Sequence, residues 1–175
     1  MLIKQCCDVL ERVGLKAAFI ESASSGYLAT QFSVYKNSGA EILLGGLVSY
    51  DPEIKIQLLG VSRQLIEQHT AESQQVTDEM ARLGKGMFIN ADIIVACTGL
   101  LKHGGSECAE KPVGTFFISI NYHNQIHAYR YLIEGDEWTK LNTLSQYTAQ
   151  ELLKLLNPSS IETIQARNKN DNLSS

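Results

Sequence analysis

A serine hydroxyl becomes a nucleophile only when a base takes its proton, and this chain holds residues of both types. The stretch ESASSG sets Ser22, Ser24, Ser25 and Gly26 between an apolar segment and the start of a helix. Two readings of that junction compete. A serine there caps the helix by accepting from a backbone N–H that the first turn leaves unpaired. Alternatively, the free N–H groups and the positive helix end serve a nucleophile or an anion. Histidine is the usual base, but His69 falls between two helices, His123 and His127 flank a hairpin turn, and His103 alone lies in a candidate site loop. Lysine is the better candidate, because burial near a strand end lowers its pKa until a fraction is neutral. Lys55 follows such an end, and Tyr50, five residues earlier, is placed to face the same cleft and donate a phenolic hydrogen bond. Spacing alone favours the plainer reading, a surface lysine beside a core tyrosine.

The elements that must position these residues can be read from periodicity. Apolar spacing at Leu2, Cys6, Leu10 and Val13 predicts a helix over 2–13, stopped by Gly14, and a strand over 16–20 delivers the serine cluster. A helix follows over about 26–35, then an apolar strand in AEILLGGLVSY, where Gly45 and Gly46 mark a bulge or a close backbone approach. Asp51 with Pro52 starts the next helix and Gly60 stops it, while Ser62 and Ser73 cap two more over 62–68 and 73–88. ADIIVACTG has the continuous apolar pattern of a strand covered on both faces. Residues 113–133 read as two strands around Asn124 and Gln125, and 137–156 as a closing helix.

This order predicts one α/β domain over residues 1–157, a three-layer α/β/α sandwich around a mixed sheet. A polar, aperiodic tail over 158–175 is expected to be mobile. Ligands in such sheets bind beyond strand ends, which directs attention to three polar loops at residues 22–26, 49–55 and 98–111. Ser24, Ser25 and Gly26 from the first loop are expected to bind substrate, as are Thr98, Gly104, Gly105 and Lys111 from the third.

Composition narrows the partners. With 175 residues, 44% hydrophobic and 19% charged, the chain is an ordinary globular domain, and a net charge of −4 with scattered cations argues against nucleic acid or an anionic membrane. Cys6, Cys7, Cys97 and Cys108 have neither zinc-site spacing nor disulfide density, and read as reduced thiols of a cytoplasmic protein. No metal and no cofactor is expected. The N-terminus, acidic and helical in spacing, resembles neither a signal peptide nor a membrane anchor.

The blocks ESASSG, GGLVSYDPEIKIQLLGV, HTAESQQV, ACTG and GGSECAEKPVGTFFISI occur in the order of those of the CinA C-terminal domain family, which the chain resembles over roughly residues 2–156. That family includes the nicotinamide mononucleotide deamidases known as PncC. The resemblance implies a Ser/Lys amidohydrolase with Ser22 as nucleophile, Lys55 as proton shuttle and Tyr50 as the matching tyrosine, the oxyanion being held by N–H groups at the following helix start. It implies a pyridine nucleotide as the small-molecule partner, with a homo-oligomer expected. The amino-terminal domain of longer members is expected to be absent, and its activities are not carried over. Against the family pattern E-S-C-T-G-G, this chain has Ala23, Ser24 and Ser25 in place of cysteine, threonine and the first glycine. Pro52 replaces an asparagine, LLKHGG replaces I-A-G-P-x-G-G, and Glu137 stands where an arginine suited to phosphate is common, with Lys140 nearby. Weak phosphate recognition is therefore expected, and the alternative is a catalytically impaired nucleotide-binding or regulatory relative.

Overall fold

The computed structural model describes residues 2–35 and 39–156, so the expected tail over 158–175 lies outside the described residues. Helix α1 (Leu2–Val13) leads into β1 (Ala17–Glu21), followed by α2 (Tyr27–Ser33), a short 3-10 turn (Gly39–Glu41) and β2 (Leu43–Val48). Helix α3 (Pro52–Ile54) runs directly into a π-helical turn (Lys55–Leu59), and α4 (Arg63–His69) and α5 (Gln74–Met87) follow. The chain then forms β3 (Ile93–Gly99), β4 (Thr115–Tyr122), β5 (Gln125–Leu132) and α6 (Glu137–Leu155). The five strands lie in the order β2-β1-β3-β4-β5. Strands β2, β1 and β3 are parallel, and β4 and β5 are antiparallel additions, as expected of a mixed sheet.

Strand periodicity sorts the side chains into two cores. Ala17 and Phe19 of β1 and Ile93, Val95 and Cys97 of β3 face one side, where they meet Cys6 and Leu10 of α1, Leu28 and Phe32 of α2, and Leu144 and Leu152 of α6. Ala18, Ile20, Ile94 and Ala96 face the other side, against Val76, Met80 and Ala81 of α5 and Leu59 of the π turn. The result is the α/β/α sandwich. No described helix is long and apolar enough to cross a membrane.

The paired glycines of β2 act as their spacing predicted. The register against β1 slips between Ala17 and Ala18, with Gly45 at φ +155, and a Cβ on Gly46 would sit 2.9 Å from the Phe19 carbonyl oxygen. A side chain there would push β2 off β1. Beyond the bulge the register is regular, so Glu21 pairs with both Val48 and Cys97 and the three parallel strands end at one edge. That edge carries the site.

Candidate active site

Because β1, β2 and β3 end together, the residues just past them are neighbours. The Ser22 N–H donates to the Cys97 carbonyl at 2.9 Å, and the Ser49 N–H to the Glu21 carbonyl at 2.7 Å. Lys55 arrives from the next element. Asp51 caps α3 by accepting from the Glu53 N–H at 2.8 Å, Pro52 occupies its first turn, and at Lys55 the helix widens into the π turn, closed by Gly60 at φ +82. Such widened turns often mark functional sites. Here the turn buries Lys55 to 1% exposure, with Nζ 3.0 Å from Ser22 Oγ and 2.6 Å from the Ser49 carbonyl oxygen. Burial, which disfavours the ammonium, lowers the Lys55 pKa to about 8, partly opposed by Glu72 and Asp51. The surface-lysine reading is thereby overturned for Lys55.

The start of α2 differs from expectation in two ways. Neither serine capping nor an open anion site describes it, because the buried Glu21 carboxylate caps the helix from the preceding strand. Its Oε2 accepts from the Gly26 and Leu28 N–H groups, both at 3.0 Å, and its Oε1 from the Ala29 N–H at 2.8 Å. A carboxylate there gains both from charge-assisted hydrogen bonds and from the helix dipole. The Ser25 and Tyr27 N–H groups donate to the Ser22 and Ser24 carbonyls at 3.0 and 2.9 Å. At this turn, among the described residues, the N–H groups of Ala23 and Ser24 are the ones without a protein acceptor. Ser24 is 2% exposed, its hydroxyl beside the buried Cys97 thiol, while Ser25 is exposed at φ +49.

Above Ser22 opens a cleft of about 300 Å³, lined by Ser22, Ala23, Tyr50, Glu72 and residues 99–105. Of the expected site residues, Ser22, Tyr50, Gly104 and Gly105 line it and Lys55 lies directly beneath Ser22. Tyr50 is 62% exposed, and its phenol bonds neither Ser22 nor Lys55. Thr98 is buried with its hydroxyl 2.7 Å from that of Thr77, away from the cleft lining. Lys111 is also outside the lining. Its Nζ donates to Thr70 Oγ1 and the Glu72 carbonyl, both at 2.7 Å, and to Ser106 Oγ at 2.5 Å, strapping residues 70–72 to residues 106–111. Thr70, the residue so held, has φ +70 and ψ 158, a conformation that costs a β-branched side chain.

Sequence reasoning did not single out Glu72. It precedes the Ser73 cap of α5, which by itself signals only a helix start, and it reaches the cleft because Lys111 and Ser106 tie the two loops together. Lys102 and His103 are exposed at the rim, with His103 Nδ1 3.2 Å from Glu107. Lys140 lies behind it and donates to the Leu101 carbonyl at 3.3 Å. Glu137 is exposed in the first turn of α6 and does not line the cleft, and among the described residues no arginine lines it either.

Comparison with known proteins gives concordant results. The family model of the CinA C-terminal domain matches residues 1–156. A CinA-like protein of Fervidobacterium nodosum is 35% identical over 130 residues, which is 74% of this chain and 31% of that protein. The chain thus spans about a third of the length of such curated relatives. Among solved structures, a competence or damage-inducible protein from Enterobacter asburiae superimposes with a TM-score of 0.81 at 28% identity, covering 89% of this chain and 96% of that one. A CinA superfamily protein from Enterobacter cloacae does so with a TM-score of 0.80 at 27% identity, covering 89% and 90%.

Proposed function

Since the chain belongs to the CinA C-terminal domain family, we propose that it is a Ser/Lys amidohydrolase that converts the carboxamide of nicotinamide mononucleotide, or of a related pyridine, to the acid and ammonia. The observation that carries the reading is the buried Lys55 Nζ at 3.0 Å from Ser22 Oγ. Neutral lysine has one lone pair and two N–H bonds. With one N–H directed to the Ser49 carbonyl, the lone pair is available to the Ser22 hydroxyl. At a pKa of about 8, roughly one lysine in ten is neutral at pH 7.

Lys55 takes the Ser22 proton as Oγ attacks the carboxamide carbon, and the carbonyl electrons move onto oxygen. The Ala23 and Ser24 N–H groups are the donors left to hold that oxyanion. As the C–N bond breaks, the Lys55 ammonium protonates the leaving nitrogen, which departs as ammonia. Water then attacks the acyl-serine, Lys55 takes its proton, and collapse to the acid returns a proton to Ser22. Tyr50 serves as a wall of the cleft in this scheme.

With no arginine in the cleft lining among the described residues, weak grip on the phosphate is expected. Losing a charge-assisted contact costs about 1.5–3 kcal/mol, so the riboside should be hydrolysed nearly as well as the mononucleotide. The same feature favours a second reading, a nucleotide-binding or regulatory protein with impaired catalysis. Ammonia release from nicotinamide mononucleotide, nicotinamide riboside and nicotinamide, with Ser22→Ala as control, separates the two. Release abolished by the substitution supports the enzyme, and no release from any of the three overturns it.

A further inference from the structure

Glu72 is a charged group in the cleft that the Ser/Lys scheme does not use. It is half-buried in the cleft wall. Its Oε2 accepts from Ser106 Oγ at 2.6 Å, and its Oε1 lies beside Gly105, where there is no side chain to cover it. Among the described residues no cation forms a salt bridge with this carboxylate, although the Lys55 and Lys111 ammonium groups both feel its charge. Lys111 spends its donors on Thr70, Ser106 and the Glu72 backbone carbonyl, and Lys55 is held by Ser22 and Ser49. A carboxylate partly withdrawn from water, with no cation in direct contact, attracts a cation.

Tyr50 lines the same cleft with an exposed ring, and an aromatic face is likewise attractive to positive charge. Lys102 is exposed at the rim, where water screens its repulsion. A pyridine carboxamide is neutral when its ring nitrogen is unsubstituted and cationic when that nitrogen carries a sugar or an alkyl group. We propose that Glu72, with Tyr50, selects carboxamides on a cationic, N-substituted pyridinium ring over the neutral base. The inference rests on the pyridine carboxamide reading above and names the feature of the substrate that the cleft recognises.

The test compares 1-methylnicotinamide, which carries the charge without ribose or phosphate, with nicotinamide. Binding of each to the intact protein is measured by calorimetry at one pH and low salt, in the unaltered protein and in Glu72→Gln. Glutamine keeps an acceptor for Ser106, and both ligands meet Lys55 in the same state, so their ratio isolates the charge effect. The cation should bind about tenfold more tightly, and the ratio should fall towards one in Glu72→Gln. If that variant proves unfolded in a thermal scan, the decline of the unaltered protein's ratio with added salt serves instead. Equal affinities in the unaltered protein, a ratio untouched by Glu72→Gln, or a salt-insensitive ratio overturns the proposal. A Glu72-dependent preference without ammonia release from any substrate supports it while removing the hydrolytic reading.

Discussion

The floor and the rim of the cleft are built differently. The floor, Ser22, Ser49 and Lys55, is buried and held by backbone hydrogen bonds at the ends of three parallel strands. The rim, Tyr50, Glu72, Lys102 and His103, is half-buried or exposed and comes from loops. Low dielectric at the floor shifts the Lys55 pKa, whereas water at the rim screens charge. The difference separates two tasks: chemistry belongs to the rigid, desolvated part, and substrate choice to the wet part, where one charge can be exchanged without refolding the sheet.

The sharpest way to break this division is at the floor. Ser22→Ala and Lys55→Ala should each lower kcat by about a thousandfold or more, and the double variant by little more than either, because the pair acts as a unit. Steady-state ammonia release checks this, and additive losses would dissolve the pair. Next in size is the support beneath it. Glu21→Gln removes the charge from a carboxylate holding three N–H groups, so stability should drop by about 2–3 kcal/mol. A denaturant midpoint equal to that of the unaltered protein would show the cap to be idle.

A smaller effect is that of pH. With the Lys55 pKa at about 8, kcat/KM should rise about tenfold from pH 7 to 9 and then level off. The folded-state value lies below the ordinary 10.5, so the folded protein binds fewer protons than the unfolded chain between pH 8 and 10.5, and this group adds stability as pH rises through that window. A pH profile flat over 7–9 would remove Lys55 as the base. The smallest effect is expected at Ser25, whose φ of +49 suits glycine. Ser25→Gly should raise stability by about 0.5–1 kcal/mol in thermal unfolding, with little change in turnover.

Local rules made much of the fold legible. Ser62 and Ser73 cap α4 and α5, Asp51 and Gly60 bound the Lys55 segment, and the β4–β5 turn falls at His123 and Asn124, both at positive φ, one residue before the expected Asn124 and Gln125 because Gln125 already pairs in β5. Each of these depends on a few consecutive residues. Glu21 was out of reach because the rule for helix starts looks to the residue just before the helix, whereas this carboxylate reaches forward from the end of β1. The serines that prompted the capping reading were therefore beside the true cap. Lys55 stood out as a candidate base from its place after a strand end, but its burial was not legible, since a widened helical turn leaves no periodic trace that distinguishes it from an ordinary one. Glu72 depends on two loops meeting, which neither stretch of sequence encodes alone.

The Lys111 strap that joins those loops makes them one mechanical piece. Residues 70–72 and 106–111 share a single ammonium, so neither can swing aside without the other, and the strained Thr70 acts as a spring that the strap keeps loaded. Because Ser106 donates to Glu72, the carboxylate in the cleft wall is tied to a stretch more than thirty residues away along the chain. Any change in the length of one loop must be answered in the other for the wall of the cleft to keep its shape.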